Sequence, residues 1–529
     1  MRFFNTAGPV NCQDHYCLPP LSRFDLVEIL SLIAQKKYFV LHAPRQSGKT
    51  SCLLALRDHL NREGNYTALY INVECGQTAR GDVGRGIKAI LSELALQADR
   101  TLGDTTLRGL INSSLEAYGE DAALKTVLSD WCLKLNHPLV LAIDEVDALV
   151  GDTLISLLRQ IRSGYPERPS SFPASVILCG VRDIRDYRIH SEKDQEIITG
   201  GSAFNIKAES LRLGNFSDEE DRTLCLQHTR ETGQVFSEGA LAAIWHLTCG
   251  QPWLVNALAY EVCFKLEEGR DRTNLITMSL VMDAKERIIQ RRETHLDQLV
   301  DKLKEERVRG VIGPILEGTM IENAVSEDDI GYVQDLGLIT RRSEGFVIAN
   351  PIYQEIIPRA ITYITQLNLE PAVNPAWFIG PEGRLDIKHL LSSFQQFYRE
   401  NSASWTDIAN YKEAGPQLLL QAFLQRIVNG GGQITREYGL GMGRTDLFIL
   451  WRLPCGNVQR FVIECKVLRG LREATITSGV TQVLKYADSC GADEVYLVIF
   501  DETKKKSWDR KIYTETREQG GVTVTVFGM

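Results

Sequence analysis

Two separated groups of residues in this 529-residue chain carry chemistry suited to phosphate. The first is Ala43-Pro44-Arg45-Gln46-Ser47-Gly48-Lys49-Thr50-Ser51, a short loop with one lysine and three hydroxyls. Such a loop can turn backbone N–H groups and an ammonium toward an anion, while a hydroxyl at its end can ligate a cation. The second group is Asp446 with Glu464-Cys465-Lys466. Two carboxylates can hold a hard divalent cation, and a lysine beside them can offset charge that develops on a phosphodiester.

Each group needs particular elements to position it. Tyr38 to Leu41 reads as a short buried strand, and the segment from Ser51 to about His59 has the apolar spacing of a helix. Strand, loop and helix together form a Walker A motif, with Ala43 where the first glycine usually stands. Lys49 would reach the β- and γ-phosphates of ATP, and the Thr50 hydroxyl would bind Mg²⁺. A second apolar run, Leu139 to Ile143, ends in Asp144-Glu145-Val146-Asp147. Asp144 would hold Mg²⁺ through water, and Glu145 would orient or deprotonate the attacking water. Nucleotide binding alone needs no Glu145. Further strands are expected at 68–73 and 174–180. Their alternation with helices predicts an α/β fold with a parallel sheet covered on both faces.

Beyond these motifs the first 360 or so residues resemble the AAA-like/STAND group of P-loop ATPases. The resemblance is carried by Ala43 to Thr50, by Ile143 to Asp147, and by Cys249-Gly250-Gln251-Pro252-Trp253-Leu254. It implies a helical lid opened near the adenine by Gly250 and Pro252, followed by a winged-helix domain. It also makes Arg182, in Gly180-Val181-Arg182-Asp183, a candidate γ-phosphate sensor; a salt-bridged arginine is the competing reading. His42, at the end of a buried strand, reads as structural.

For the second group, Gly443 to Ile449 and Phe461 to Lys466 read as a β-hairpin around Pro454-Cys455-Gly456-Asn457. Residues two apart on a strand share a face, so Glu464 and Lys466 point together while Cys465 turns away. On alternation alone, a solvent-facing salt bridge fits equally well. A predicted helix from about Thr475 to Ala487 carries Gln482-Val483-Leu484-Lys485-Tyr486, whose ends share one helical face. Together these residues resemble the PD-(D/E)XK nuclease superfamily, in its RecB-like QxxxY variant, over residues 380–529. The resemblance implies Asp446 and Glu464 as ligands of Mg²⁺ or Mn²⁺ and Lys466 as the catalytic lysine. Gln482 and Tyr486 would support the site, with Glu413 on the preceding helix and Glu437 as its rival.

The expected domains are a P-loop core at 1–213, a helical lid at 214–300 and a winged-helix-like unit at 301–365. A linker at 366–380 and a nuclease-like α/β domain at 381–529 follow. Net charge is −9 overall, yet residues 376–529 hold 19 Lys+Arg against 17 Asp+Glu. Contact with nucleic acid, expected to be DNA, therefore needs a local patch rather than a global field. Arg341-Arg342 and Lys504-Lys505-Lys506 with Trp508 are the candidates, each equally readable as an exposed turn. Of twelve cysteines, only Cys12 and Cys17, with His15, lie close in sequence. Free thiols are expected there rather than zinc, in a cytoplasmic protein with no membrane span. A homo-oligomer is expected on nucleotide binding. An ATP-regulated nuclease is the leading reading. A nucleotide-gated signalling or scaffold ATPase that binds nucleic acid without cutting is the alternative, and a DNA-translocating motor is a further rival.

Overall fold

A computed structural model describes residues 1–183, 188–190, 197–199, 204–291, 296, 299, 301–317, 325–343, 345–361, 378–380, 382–401, 416, 419–421, 423–424, 432–436, 447–453, 455–468, 470–501, 503 and 506–529. The chain forms two compact units, Met1–His295 with Ser326–Gly345, and Leu296–Val325 with Phe346–Met529.

The first unit is built on a five-stranded parallel sheet in the order Thr67–Asn72, Leu139–Asp144, Ser175–Gly180, Tyr38–His42, Lys207–Arg212. The Leu139–Asp144 strand is buried along its whole length. Its side chains alternate between two cores: Leu139, Leu141 and Ile143 enter one, while Val140 and Ala142 enter the other. A strand covered on both faces must be apolar throughout, which is why its terminal Asp144 stands out. Four of the five strands match expectation within two residues; Lys207–Arg212 carries too little apolar pattern to be read in advance. Helices Asp218–Thr232, Glu238–Thr248, Pro252–Tyr260 and Met278–Arg291 follow. Ser217 and Glu220 form a reciprocal capping box that fixes the start of the first of these.

One expectation is corrected at the N-terminus. Cys12 and Cys17 are not free thiols but are joined by a disulfide, with Cα atoms 5.5 Å apart. Their five-residue spacing lets the chain fold back, and Phe3–Phe4 pairs in parallel with His15–Tyr16. Two short strands lie at Ile339–Arg342 and Gly345–Ile348.

The second unit holds a six-stranded mixed sheet. Its order is Gly432–Arg436, Leu447–Arg452, Val458–Val467, Glu494–Phe500, Val522–Gly528, Tyr513–Gln519. Val458–Val467 runs antiparallel to Leu447–Arg452 and parallel to Glu494–Phe500. Phe461, Ile463 and Cys465 enter a core shared with helix Ile387–Asn401. Val462 enters the opposite core, under helix Arg472–Cys490. That helix approaches the sheet closely at Gly479, where an added Cβ would sit 2.6 Å from Leu497. No helix among the described residues is long and apolar enough to cross a membrane.

Candidate functional site

The loop after strand Tyr38–His42 holds Gln46 at φ 57° and Gly48 at φ +94°, and Gly48 opens the helix Lys49–Glu63 without a side-chain cap. Uncapped N–H groups at a helix start carry partial positive charge and favour an anion. Lys49 is 7% exposed, and its ammonium donates to the carbonyls of Ala43 at 2.8 Å and Pro44 at 2.9 Å. Ser47 also donates to Pro44, at 2.8 Å. Arg45 and Gln46 are exposed at the rim.

The fully buried Asp144 accepts from the Thr50 hydroxyl at 2.7 Å and from the Tyr70 hydroxyl at 3.0 Å. Burial and the adjacent Asp144 raise the Tyr70 phenol's pKa, so it stays a donor. The Thr50 and Asp144 oxygens fit the hard-oxygen set that Mg²⁺ requires. Glu145 sits at φ 57°, a left-handed conformation uncommon for glutamate and often found at functional sites. Burial, then Asp147 and Asp144, raise its carboxyl pKa above the usual range. A base held nearer neutral is better matched to accept a proton from water.

A cavity of about 130 Å³ opens beside this loop. At roughly 10–15 Å³ for each water-sized occupant, it has room for a fused-ring base. Gln46, Gly48, Phe216, Pro252 and Trp253 line it. Gln251 caps the helix that Pro252 opens, accepting from Leu254 N–H at 2.6 Å. Gly250 is required at φ +70°, because a Cβ there would meet the Phe216 carbonyl at 2.1 Å. The Arg23 guanidinium stacks 4.4 Å from the Phe216 ring centre and donates to Gly214 at 2.7 Å. Arg23, Phe216 and the N-terminal segment escaped the sequence reading; Tyr70 did too, though it stands three residues before the end of an expected strand.

Residues 33–187 match the AAA domain family. This stretch carries a P-loop ATPase domain of AAA type, which implies nucleotide binding, usually with Mg²⁺. The chain is similar to the Walker-type ATPase PABY2304 of Pyrococcus abyssi, at 15% identity and TM-score 0.45, covering 67% of this chain and 99% of that one. It is also similar to Cdc6p from Pyrobaculum aerophilum, at 14% identity and TM-score 0.35, covering 65% and 93%. The Thermotoga maritima RuvB Holliday junction branch migration motor aligns at 11% identity and TM-score 0.32, covering 63% and 95%. No curated protein matches the chain.

In the AAA-type domain, Arg182 is 8% exposed and faces Asp328 at 3.4 Å and Asp335 at 3.6 Å. Its guanidinium also lies 4.9 Å from the Tyr332 ring centre. Asp335 approaches His42 as well, at 3.9 Å. Burial lowers the His42 pKa to about 4, leaving a neutral ring. Burial raises the pKa of the Cys249 thiol, and the Arg342 charge opposes that shift.

In the second unit Glu464 is 1% exposed and pairs with the Lys466 ammonium at 2.9 Å. Lys466 also donates to Gln482 Oε1 at 2.7 Å, and the Gln482 amide lies 3.5 Å from the Tyr486 hydroxyl. Four expected residues are thereby joined in one polar chain between strand and helix. The described ladder ends at Leu447 opposite Ile463, the residues next to Asp446 and Glu464 in sequence. Asp446, Glu413 and Glu437 lie outside the described residues, as do Lys504 and Lys505. Among the described residues no group of three or more His, Cys, Asp or Glu side chains gathers as a metal set. Glu464 is the one described member of the expected ligand pair. Lys506 pairs with Asp501 at 2.7 Å, and Trp508 packs edge-on against Tyr398 at 5.8 Å. Both are already engaged within the fold, which weighs against a free stacking patch.

Proposed function

We propose that the chain binds and hydrolyses ATP with Mg²⁺, and that its C-terminal half is a metal-dependent nuclease of the PD-(D/E)XK kind, cleaving phosphodiester bonds in DNA or RNA. The reading rests on one observation above the rest. A buried glutamate, Glu464, shares the Lys466 ammonium with Gln482, next to Tyr486, on a strand whose adjacent buried positions, Phe461, Val462, Ile463 and Cys465, are apolar. Burying Glu464 beside the part-exposed Lys466 costs desolvation that an apolar residue at 464 would avoid. Glu464 with Asp446 would hold Mg²⁺ or Mn²⁺, which would polarise the scissile phosphate. Lys466 would face the charge that develops there. Glu413 is the proposed third acid.

At the nucleotide site, Lys49 would exchange its two carbonyl partners for phosphate oxygens, and Arg182 would exchange Asp328 and Asp335 for the γ-phosphate. Releasing those two aspartates would free the winged-helix segment, which is the proposed route from nucleotide state to nuclease activity. A role in bacterial defence or mobile-element control, with DNA as partner and assembly into a homo-oligomer on nucleotide binding, is proposed from the pairing of the two sites.

The test is a cleavage panel of single- and double-stranded DNA and RNA with Mg²⁺ or Mn²⁺, under ATP, a non-hydrolysable analogue or no nucleotide. Wild-type protein should cut at least one substrate. Lys466→Ala should lower that rate by roughly 10²–10³-fold, the range for losing one preorganised group, with ATP hydrolysis unchanged. Binding of nucleic acid with no cleavage anywhere would favour the signalling or scaffold reading.

A further inference from the structure

We propose that Cys12 and Cys17 form a redox-modification site that gates the nucleotide cavity, with the disulfide form binding ATP more tightly than the dithiol form. The inference rests on the nucleotide-site reading above and adds regulation to it.

The N-terminal segment is a strap laid across the cavity. Thr6, Gly8 and Val10 line it from one limb, and Cys17 and Leu18 from the other. On the loop side the strap is held by Val10 N–H donating to Ser51 Oγ at 3.0 Å, and by the Cys52 thiol on the Pro20 carbonyl at 3.3 Å. On the lid side Trp253 donates to the Thr6 carbonyl at 2.9 Å. The Gln227 amide clasps both backbone groups of Cys17, at 3.1 and 2.9 Å. The Tyr16 hydroxyl lies 3.2 Å from His228 Nδ1. The strap therefore connects the helix that starts at Lys49 with the lid helices, and the Cys12–Cys17 bond ties its two limbs together beside the base cavity.

A closed loop of this kind restricts the chain's alternatives. Opening it lets the limbs separate, and the ordered strap becomes a fraction of the population. Apparent affinity falls by that fraction. The placement also makes exchange feasible, since Cys12 is exposed and Cys17 only half-buried. A thiolate of a dithiol reductant attacks the Cys12 sulfur, breaking the Cys12–Cys17 bond, and Cys17 leaves as thiolate and takes a proton. The reductant's second thiolate then attacks its own sulfur in the mixed disulfide. Cys12 is released as a thiol, and the reductant leaves as its disulfide. Two electrons and two protons pass from the dithiol to the protein. Ten further cysteines lie outside this disulfide, and of these Cys75 and Cys455 are exposed.

Full-length protein is titrated with ATP by calorimetry, air-oxidised and again in dithiothreitol, with free thiols counted by alkylation and mass. Reduction should weaken binding roughly tenfold, as for a strap ordered about a tenth of the time. The double variant Cys12→Ser with Cys17→Ser should bind like the reduced wild type and ignore dithiothreitol. Cys75→Ser with Cys455→Ser should keep the full response. Equal affinity in both states, a response that follows Cys75 and Cys455, or an oxidised protein with all twelve thiols free would each overturn the gate while leaving the nucleotide site intact. No ATP binding in either state would instead remove the nucleotide reading itself.

Discussion

The nucleotide site and the proposed nuclease site are built on different principles. In the AAA-type domain the anion-facing groups lie on consecutive residues, Ala43 to Ser51, at a single strand-to-helix junction. Asp144 and Glu145 arrive from elsewhere, at the end of a strand of the same parallel sheet that Ser175–Gly180 separates from Tyr38–His42. In the second unit every group sits on a different strand or helix position, and the site forms only if the strand register and the helix packing at Gly479 are both right. A contiguous loop tolerates imprecise surroundings. A site assembled across a sheet inherits any error in its pairing, because a one-residue slip would turn Glu464 and Lys466 to the opposite core.

The sharpest way to separate the two is to disable one chemistry and leave the other. Glu145→Gln keeps the shape of the phosphate site but removes the proposed base. ATP hydrolysis should fall roughly 10³-fold, within the range for a general base, while ATP binding is retained. Nuclease activity then reads the coupling. If hydrolysis drives it, cleavage falls with ATPase activity; if ATP binding alone suffices, cleavage persists. Undiminished ATP turnover in this variant would remove Glu145 from its proposed role.

Gln482→Ala is the corresponding probe of the second unit, with a smaller effect. Gln482 is argued to act by positioning Lys466, with its amide beside Tyr486. Its loss should cost roughly 10–100-fold in cleavage, as for residues that orient a site's primary groups. A structural role would lower the melting temperature and activity together. Positioning predicts instead a fall in kcat at little change in KM, with the melting temperature nearly unmoved and partial rescue by Gln482→Asn.

Legibility followed the same division. The strands that end before the Lys49 loop and at Asp144 lie within a residue of their expected bounds. These are apolar runs with chemistry at their ends, and local pattern suffices. Two short motifs each fixed a face, Glu464 with Lys466 and Gln482 with Tyr486, but the Lys466–Gln482 bond that joins them was not specified by either. The partners of Arg182 were not, since Asp328 and Asp335 lie about 150 residues downstream and no periodicity links them. The strap was missed for a related reason. Phe3–Phe4 and His15–Tyr16 are too short to show alternation, and the disulfide reflects proximity that spacing alone left open between thiols and zinc. Lys207–Arg212 alternates weakly as an edge strand, with exposed positions along it.

Two buried acids, one in each unit, extend the comparison to stability. Glu464 has the Lys466 ammonium at 2.9 Å, whereas Asp221 on helix Asp218–Thr232, 2% exposed, is approached by the Cys225 thiol at 3.8 Å and, among the described residues, by no cation within salt-bridge distance. Burial raises the Asp221 carboxyl from its ordinary 3.8 to about 7, with Asp218 adding to the shift and Cys225 and Arg222 opposing it. The folded protein thus keeps a proton that the unfolded chain releases above about pH 4. Stability from this residue is full below that point, declines as pH rises toward 7, and levels off above it. Asp221→Asn removes the titration, so it should flatten this part of the pH profile and stabilise the first unit at pH 8 by about 1 kcal/mol. Chemical denaturation of both proteins at pH 5 and pH 8 reads the difference. A wild-type profile that instead rises from pH 5 to 8, with the rise lost in the variant, would mean that Asp221 is ionised in the fold and that a cation reaches it.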